Sequence, residues 1–231
     1  MIQNPKHNLT YQLTHDLGNA IVKGKYKIGD GLPTEAELCL EYDVSRSATR
    51  EAVKMLSAKG LIVSRPKKGI RVLPESNWNM FDTDVLTWIL SSNPSLSLLK
   101  SFTEVRAAIE PQAAALASVN ATFEDIEEIE KALTRMEQAE KGLDDPLDSD
   151  IAFHTAILKA SGNCFIMQLS DFISTALRVS IRYTNKTKGE DGDIQKHAEI
   201  LNTIKSRNPE KARNALKTIL DEALELINAN M

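Results

Sequence analysis

Cysteine is nearly absent. Cys39 and Cys164 are the only two, 125 positions apart, and without an export signal they read as free core thiols rather than a disulfide framework. Long apolar runs are missing as well. None approaches the ~20 residues that span a bilayer, and the opening stretch MIQNPKHNLTYQLTHDL lacks the apolar core of a secretory signal. These absences point to a cytoplasmic protein with no membrane partner. Aromatic residues make up only 5% while Ala, Leu and Ile are plentiful, which favours helices, and beyond residue 75 no segment alternates convincingly enough for a strand. There is no internal repeat and no low-complexity segment. What is present is 231 residues, 42% hydrophobic and 26% charged, which suits one large or two modest domains with a real core.

The charge is unevenly divided. Residues 1–74 carry 12 Lys/Arg against 7 Asp/Glu, a net +5, and residues 75–231 carry 16 against 25, a net −9; together they give the overall −4. A basic head on an acidic body suggests a polyanionic partner for the head.

The head reads as three helices and a hairpin. LTYQLTHDLGNAIVKG spaces Leu9, Leu13, Leu17 and Ile21 for one amphipathic helix, with Gly24 as a stop. Thr34-Glu35-Ala36-Glu37 fits a capping box, with Thr34 as N-cap and Glu37 three residues on, opening a helix to about Tyr42. Ser45 or Ser47 caps a third helix that Gly60 ends. LIVS and IRVL flank RPKKG, a hairpin with Pro66 and Gly69 in or near the turn and Lys67 and Lys68 at its tip. The fold class expected is therefore mostly α: an N-terminal winged helix-turn-helix over 1–74, a linker helix over 75–92, and an all-α bundle over 93–231. Helices are expected at 82–91, 95–118, 122–141, 147–160, 164–185, 193–206 and 209–229. Asn163, Asp193 and Asn208 serve as caps, and Pro111 kinks the second of these.

The third helix, SRSATREAVKMLSAKG, has chemistry suited to a DNA major groove, which is wide enough for one helix. Arg46, Ser47 and Arg50 lie near its N-terminal end, where a recognition helix meets base edges. Arg reads guanine bidentately, while Lys67 and Lys68 on the wing suit phosphates. Ala48, Ala52 and Leu56 face back into the domain.

The stretch LPTEAELCLEYDVSRSATREAVKMLSAKGLIVSRPKKGIRV resembles the DNA-binding domain of the GntR family of bacterial transcriptional regulators. Leu32, Pro33, Thr34, Glu35, Leu38, Val44, Ser45, Arg46, Arg50, Glu51, Ala52, Leu56, Gly60, Leu61 and Ile62 all match that pattern. The resemblance implies contact with double-stranded operator DNA through Thr34, Glu35, Ser45, Arg46, Ser47, Thr49, Arg50, Lys67, Lys68 and Gly69. Two positions depart: Ala36 stands where many members carry Arg, and Lys67 where Gly is common.

In the body, Asp150 and His154 share one helix face at i and i+4, and His197 lies 43 residues further on. An Asp oxygen with two imidazoles suits Zn, Ni or Mn. By spacing alone, an Asp/His pair on a helix is more often a surface pair or a hydrogen-bonded core pair than a metal site. Residues 80–231 are similar to the all-helical C-terminal (FCD) domain of the FadR-type subgroup, through EVRAAIEP, DIAFHTAILKASGN and KHAEILNTIKSRNPEKARNALKTIL, and the linker motif WNMFDTDVLTWIL agrees. That similarity implies a divalent metal on Asp150, His154 and His197, with a fourth His position filled here by Ile219. It also implies a small carboxylate effector near Arg106, Arg178, Arg182, Thr184 and Asn185, and a homodimer formed through the helical domains. Arg106 has a rival role as an intrahelical partner of Glu110 at i+4. The linker motif is shared with regulators of sugar-acid catabolism, so hexonates and hexuronates are the expected effectors. Trp78 and Trp88 read as apolar packing of the linker helix between domains.

Two other readings stand beside a regulator: a metal-dependent hydrolase acting through Asp150, His154 and His197, and a DNA-binding protein without effector control. No nucleophile elbow or phosphate loop accompanies the Asp/His set.

Overall fold

The computed structural model describes residues 9–91, 95–175, 177–178 and 193–231. The chain divides into two compact units, Met1–Asn93 and Pro94–Met231.

In the first unit, helices α1 (Leu9–Val22), α2 (Glu35–Glu41) and α3 (Arg46–Ala58) precede strands β1 (Ile62–Arg65) and β2 (Gly69–Val72). The capping box forms as the sequence expects: Thr34 accepts from the Glu37 amide and the Glu37 carboxylate accepts from the Thr34 amide. Ser45 rather than Ser47 caps α3, accepting from the Ala48 amide at 3.1 Å. The strands pair antiparallel from Ile62 against Val72 to Arg65 against Gly69, and Gly31 adds an isolated bridge to Arg71. Lys67 sits in the turn at φ 60°, a conformation a side chain tolerates poorly, which explains why Gly suits this position. Leu13, Leu17, Leu38, Leu56 and Leu61 centre the core.

After a short 3-10 turn (Glu75–Asn77), α4 (Thr83–Ser91) follows. Segment 75–92 is expected as a linker, yet this unit's own core takes up its two indoles. Trp78 and Trp88 join the cluster with Leu13 and Leu17, and the Trp78 Nε1 donates to the Leu73 carbonyl at 3.1 Å. Gly18 on α1 is what admits Trp88, since a Cβ there would lie 2.3 Å from the indole. Gly60 is equally forced: it has φ 78°, and an added Cβ would meet the Asn77 carbonyl oxygen at 2.1 Å.

The elements of the second unit among its described residues are all helices: α5 (Leu96–Asn120), α6 (Phe123–Glu140), α7 (Pro146–Ala160), α8 (Cys164–Gln168), helical residues at 170–175 and 177–178, α9 (Ile194–Lys205) and α10 (Pro209–Ala229). Asn163, Asp193 and Asn208 cap as expected. Helix α5 continues through Pro111, packs along α10 and touches α7 and α9, while α6 lies against α7. The single helix expected over 164–185 is interrupted by a turn at Leu169. Cys164 is exposed and Cys39 half-buried, which corrects the expectation of two core thiols.

Candidate functional site

Two separate sites emerge, one in each unit. In the first, α3 and the wing present an outward cationic surface. Arg46, Ser47, Arg50, Lys67, Lys68 and Gly69 are all exposed, while Ala52 and Leu56 are buried behind them. The Arg50 Nε donates to Glu35 Oε2 at 3.1 Å, so the α2 carboxylate positions the α3 guanidinium. Thr34 and Ser45 act as helix caps.

Thr49 does not belong to this surface. It is fully buried, its hydroxyl donates to the Ser45 carbonyl at 3.2 Å and lies 3.2 Å from Cys39 Sγ. It falls on the inward stripe with Ala52, Val53 and Leu56, and the helical period explains its direction.

By sequence Lys59 is only the last residue of the third helix. In the structure its Nζ reaches both Asp82 oxygens and Asp84 Oδ2 at 2.8 Å and lies 5.8 Å from the Trp88 ring centroid. Burial pushes the Lys59 ammonium toward neutrality, and the hydrogen bonds it donates to the two carboxylates, with their charge, more than reverse this, raising its pKa. The Asn79 amide also donates to the Lys59 carbonyl at 2.9 Å. The recognition-type helix is thereby clamped at its C-terminal end to the WNMFDTD segment.

The second site lies inside the helical unit. Helix α7 sets Asp150 and His154 on one buried face, α9 brings His197, and α5 brings Arg106 and Glu110. One ligand-capable atom each from Asp150, His154 and His197 lie within 4.8 Å of one another. His154 Nε2 is 3.2 Å, and His197 Nε2 3.4 Å, from Asp150 Oδ1. The His197 Nδ1 is 2.8 Å from the Asp193 carbonyl. A carbonyl only accepts, so Nδ1 carries the ring proton, and in a neutral ring the Nε2 lone pair faces a carboxylate oxygen. Asp150 Oδ1 and His197 Nε2 are indeed buried without an aligned hydrogen bond among the described residues. Buried acceptors facing each other require a proton or a cation between them. The donor set therefore fits a divalent metal of the Zn, Ni or Mn kind.

Arg106 is buried and grips Glu110, from Nε to Oε1 at 2.6 Å and from Nη2 to Oε2 at 3.4 Å. Glu110 Oε2 in turn lies 2.7 Å from His154 Nδ1, an approach too oblique for a well-formed hydrogen bond but within ion-pair distance. Burial pushes the Glu110 carboxyl up, and Arg106 with His154 outweighs it, holding its pKa down to about 2. Burial likewise opposes the His154 imidazolium, yet Glu110 and Asp150 raise its pKa to about 9 in the metal-free protein. Asp150 is held well below the usual carboxylate range by the two histidines despite its burial.

Arg178 stands apart from this cluster, exposed and paired with Asp148 at 2.6 Å. Arg182, Thr184 and Asn185 lie outside the described residues. Ile219 on α10 is half-buried and offers no ligand atom.

Residues 9–72 match the family described as bacterial regulatory proteins, gntR family, and residues 101–222 match the FCD domain. The galactonate operon transcriptional repressor of Escherichia coli (strain K12) is 35% identical over 92% of this chain and 94% of its own. The Glc operon transcriptional activator of the same organism is 31% identical over 85% and 80%. Among solved structures, Listeria monocytogenes Lar shares the fold with a TM-score of 0.63 at 18% identity, covering 98% of this chain and 99% of its own.

Proposed function

The chain belongs to the gntR family of bacterial regulatory proteins and is a transcriptional regulator, not an enzyme; from that premise we propose that it represses a sugar-acid catabolic operon and leaves its operator when a carboxylate effector binds. The observation that carries this reading is the division of charge by depth. Exposed cations on α3 and the wing face outward, where DNA meets a protein, while the second unit buries a carboxylate–histidine cluster suited to metal and an acidic ligand.

In this reading two chains pair through their helical units, and each offers one winged helix to a half-site of a pseudo-palindromic operator. Arg46 and Arg50 read bases, and Lys67 and Lys68 hold phosphates. Thr34 and Ser45 act through the helix ends they cap, Glu35 through Arg50, and Gly69 through the wing turn. Asp150, His154 and His197 hold a divalent ion, which when bound supplies a positive anchor for an effector oxygen. Arg106 supplies the countercharge for the effector carboxylate, since Glu110 engages only two of its five donors. Hexonates and hexuronates are favoured, as the likeness to a galactonate operon repressor supports. The Lys59 clamp ties the recognition helix to the linker segment, through which the effector's differential affinity for the two states, typically ~1–3 kcal/mol, reaches the DNA.

The test is fluorescence anisotropy of the purified chain on its own upstream DNA, with and without a panel of hexonates and hexuronates. Release by one compound is expected. Binding that no compound reverses would leave a DNA-binding protein without this effector class, and absence of any binding would sink the groove assignment.

A further inference from the structure

We propose that Glu110 and Arg106 are positioning residues for the metal cluster: Glu110 fixes the His154 ring so that Nε2 faces the metal, and Arg106 holds Glu110 in place. The inference rests on the metal reading above and deepens it. The contacts form one line from α5 to α7 and α9. Arg106 grips both Glu110 oxygens, Glu110 Oε2 stands 2.7 Å from His154 Nδ1, and His154 Nε2 faces Asp150 Oδ1. The first three side chains are sealed, at 5%, 1% and 2% exposure.

At 2.7 Å in a dry interior the Glu110 carboxylate favours a proton on the Nδ1 that faces it, as an ion-pair contact rather than an aligned hydrogen bond. A carboxylate already engaged by a guanidinium leaves that proton on Nδ1, which frees Nε2 for coordination. His197 is arranged the same way by a different acceptor, the Asp193 carbonyl at 2.8 Å from its Nδ1. Both rings are therefore anchored through Nδ1 and turn Nε2 toward one carboxylate oxygen. Histidine ligands are ordinarily oriented by such partners, whose loss weakens metal binding by roughly 10- to 100-fold. With only three ligands from the described residues, orientation of each ring matters more.

The experiment uses the full chain, stripped of metal and titrated with Zn²⁺ against a chromophoric chelator. Glu110→Ala is expected to weaken Zn²⁺ binding about 10- to 100-fold. Glu110→Gln, whose amide oxygen can still face Nδ1, recovers much of that loss, and Arg106→Gln falls between. Arg135→Gln, which breaks the outer pair with Asp144, changes nothing. Circular dichroism of each metal-free variant restricts the comparison to folded chains. Should Glu110→Ala fail to fold, Glu110→Gln and the double variant Arg106→Gln/Glu110→Gln are both expected to bind Zn²⁺ measurably more weakly than the native chain. Long-range ¹⁵N correlation spectra give a readout that a purely structural role would leave alone: a single Nδ1–H tautomer at His154 in the Zn²⁺-loaded chain, lost in Glu110→Ala. Equal Zn²⁺ affinity and one tautomer in every Glu110 variant that folds would overturn the positioning role while leaving the metal reading intact. A native chain that binds no Zn²⁺ overturns both.

Discussion

The surface Arg50–Glu35 pair and the buried Arg106–Glu110 pair have similar chemistry in different surroundings. Arg50 meets Glu35 at 3.1 Å with side chains 66% and 40% exposed, and Arg106 meets Glu110 at 2.6 Å with side chains 5% and 1% exposed. In water the first pair is screened and contributes little, so its guanidinium is available to exchange a carboxylate for a guanine edge or a phosphate. In the interior the second pair is locked, because separating it would leave an uncompensated buried charge. Burial alone turns one motif into a contact that can be traded and the other into a fixed frame.

The largest expected effect tests that contrast directly. Arg106→Ala should cost about 3–5 kcal/mol of stability in the helical unit, because Glu110 stays buried without its partner; urea denaturation followed by circular dichroism checks it. A cost near zero would mean that the pair opens as freely as the surface one.

On the operator the order reverses. Arg50→Ala should lower affinity by about 1–3 kcal/mol, roughly 5- to 150-fold, yet change folding stability by less than about 1 kcal/mol. Anisotropy and denaturation on the same variant separate the two effects.

A third prediction concerns pH. In the metal-free chain the His154 pKa, ordinarily 6.5, is raised to about 9, so its stabilising contribution is complete below about pH 6.5 and is lost as pH rises through about 9. Glu110, lowered to about 2, contributes above the ordinary carboxylate range and loses that contribution as pH falls toward 2. The urea midpoint of the metal-free chain should therefore be flat near pH 5–6 and decline on both sides, and His154→Gln should remove the alkaline decline.

The smallest effect is at the wing tip. Lys68→Ala should weaken binding about equally to specific and unrelated DNA and reduce the slope of log affinity against log salt by about 1. Loss of discrimination between sequences would move Lys68 from phosphate to base contact.

Much of the frame was legible from short windows. The Thr34–Glu37 box and the caps at Asn163, Asp193 and Asn208 are local hydrogen-bond patterns, so the residues that make them lie side by side in the sequence. The i,i+4 spacing likewise put Asp150 beside His154 and Arg106 beside Glu110. Thr49, expected at the DNA from the family resemblance, lies instead on the buried stripe, as its position three and four residues before Ala52 and Val53 already indicates. The break at Leu169 left no such trace, since neither Gly nor Pro marks it.

The sequence by itself determined the helices, their caps, the winged head and the split of charge between head and body, because each depends on periodicity or composition within a few turns of chain. Only the tertiary structure decided that Glu110 on α5 stands against His154 on α7, that His197 on α9, which the family resemblance implied but no local pattern did, stands against Asp150, and that Lys59 is held between Asp82 and Asp84. Those meetings join residues 23 to 47 positions apart, and the packing of apolar faces, rather than any local preference, sets which polar groups end up opposite one another.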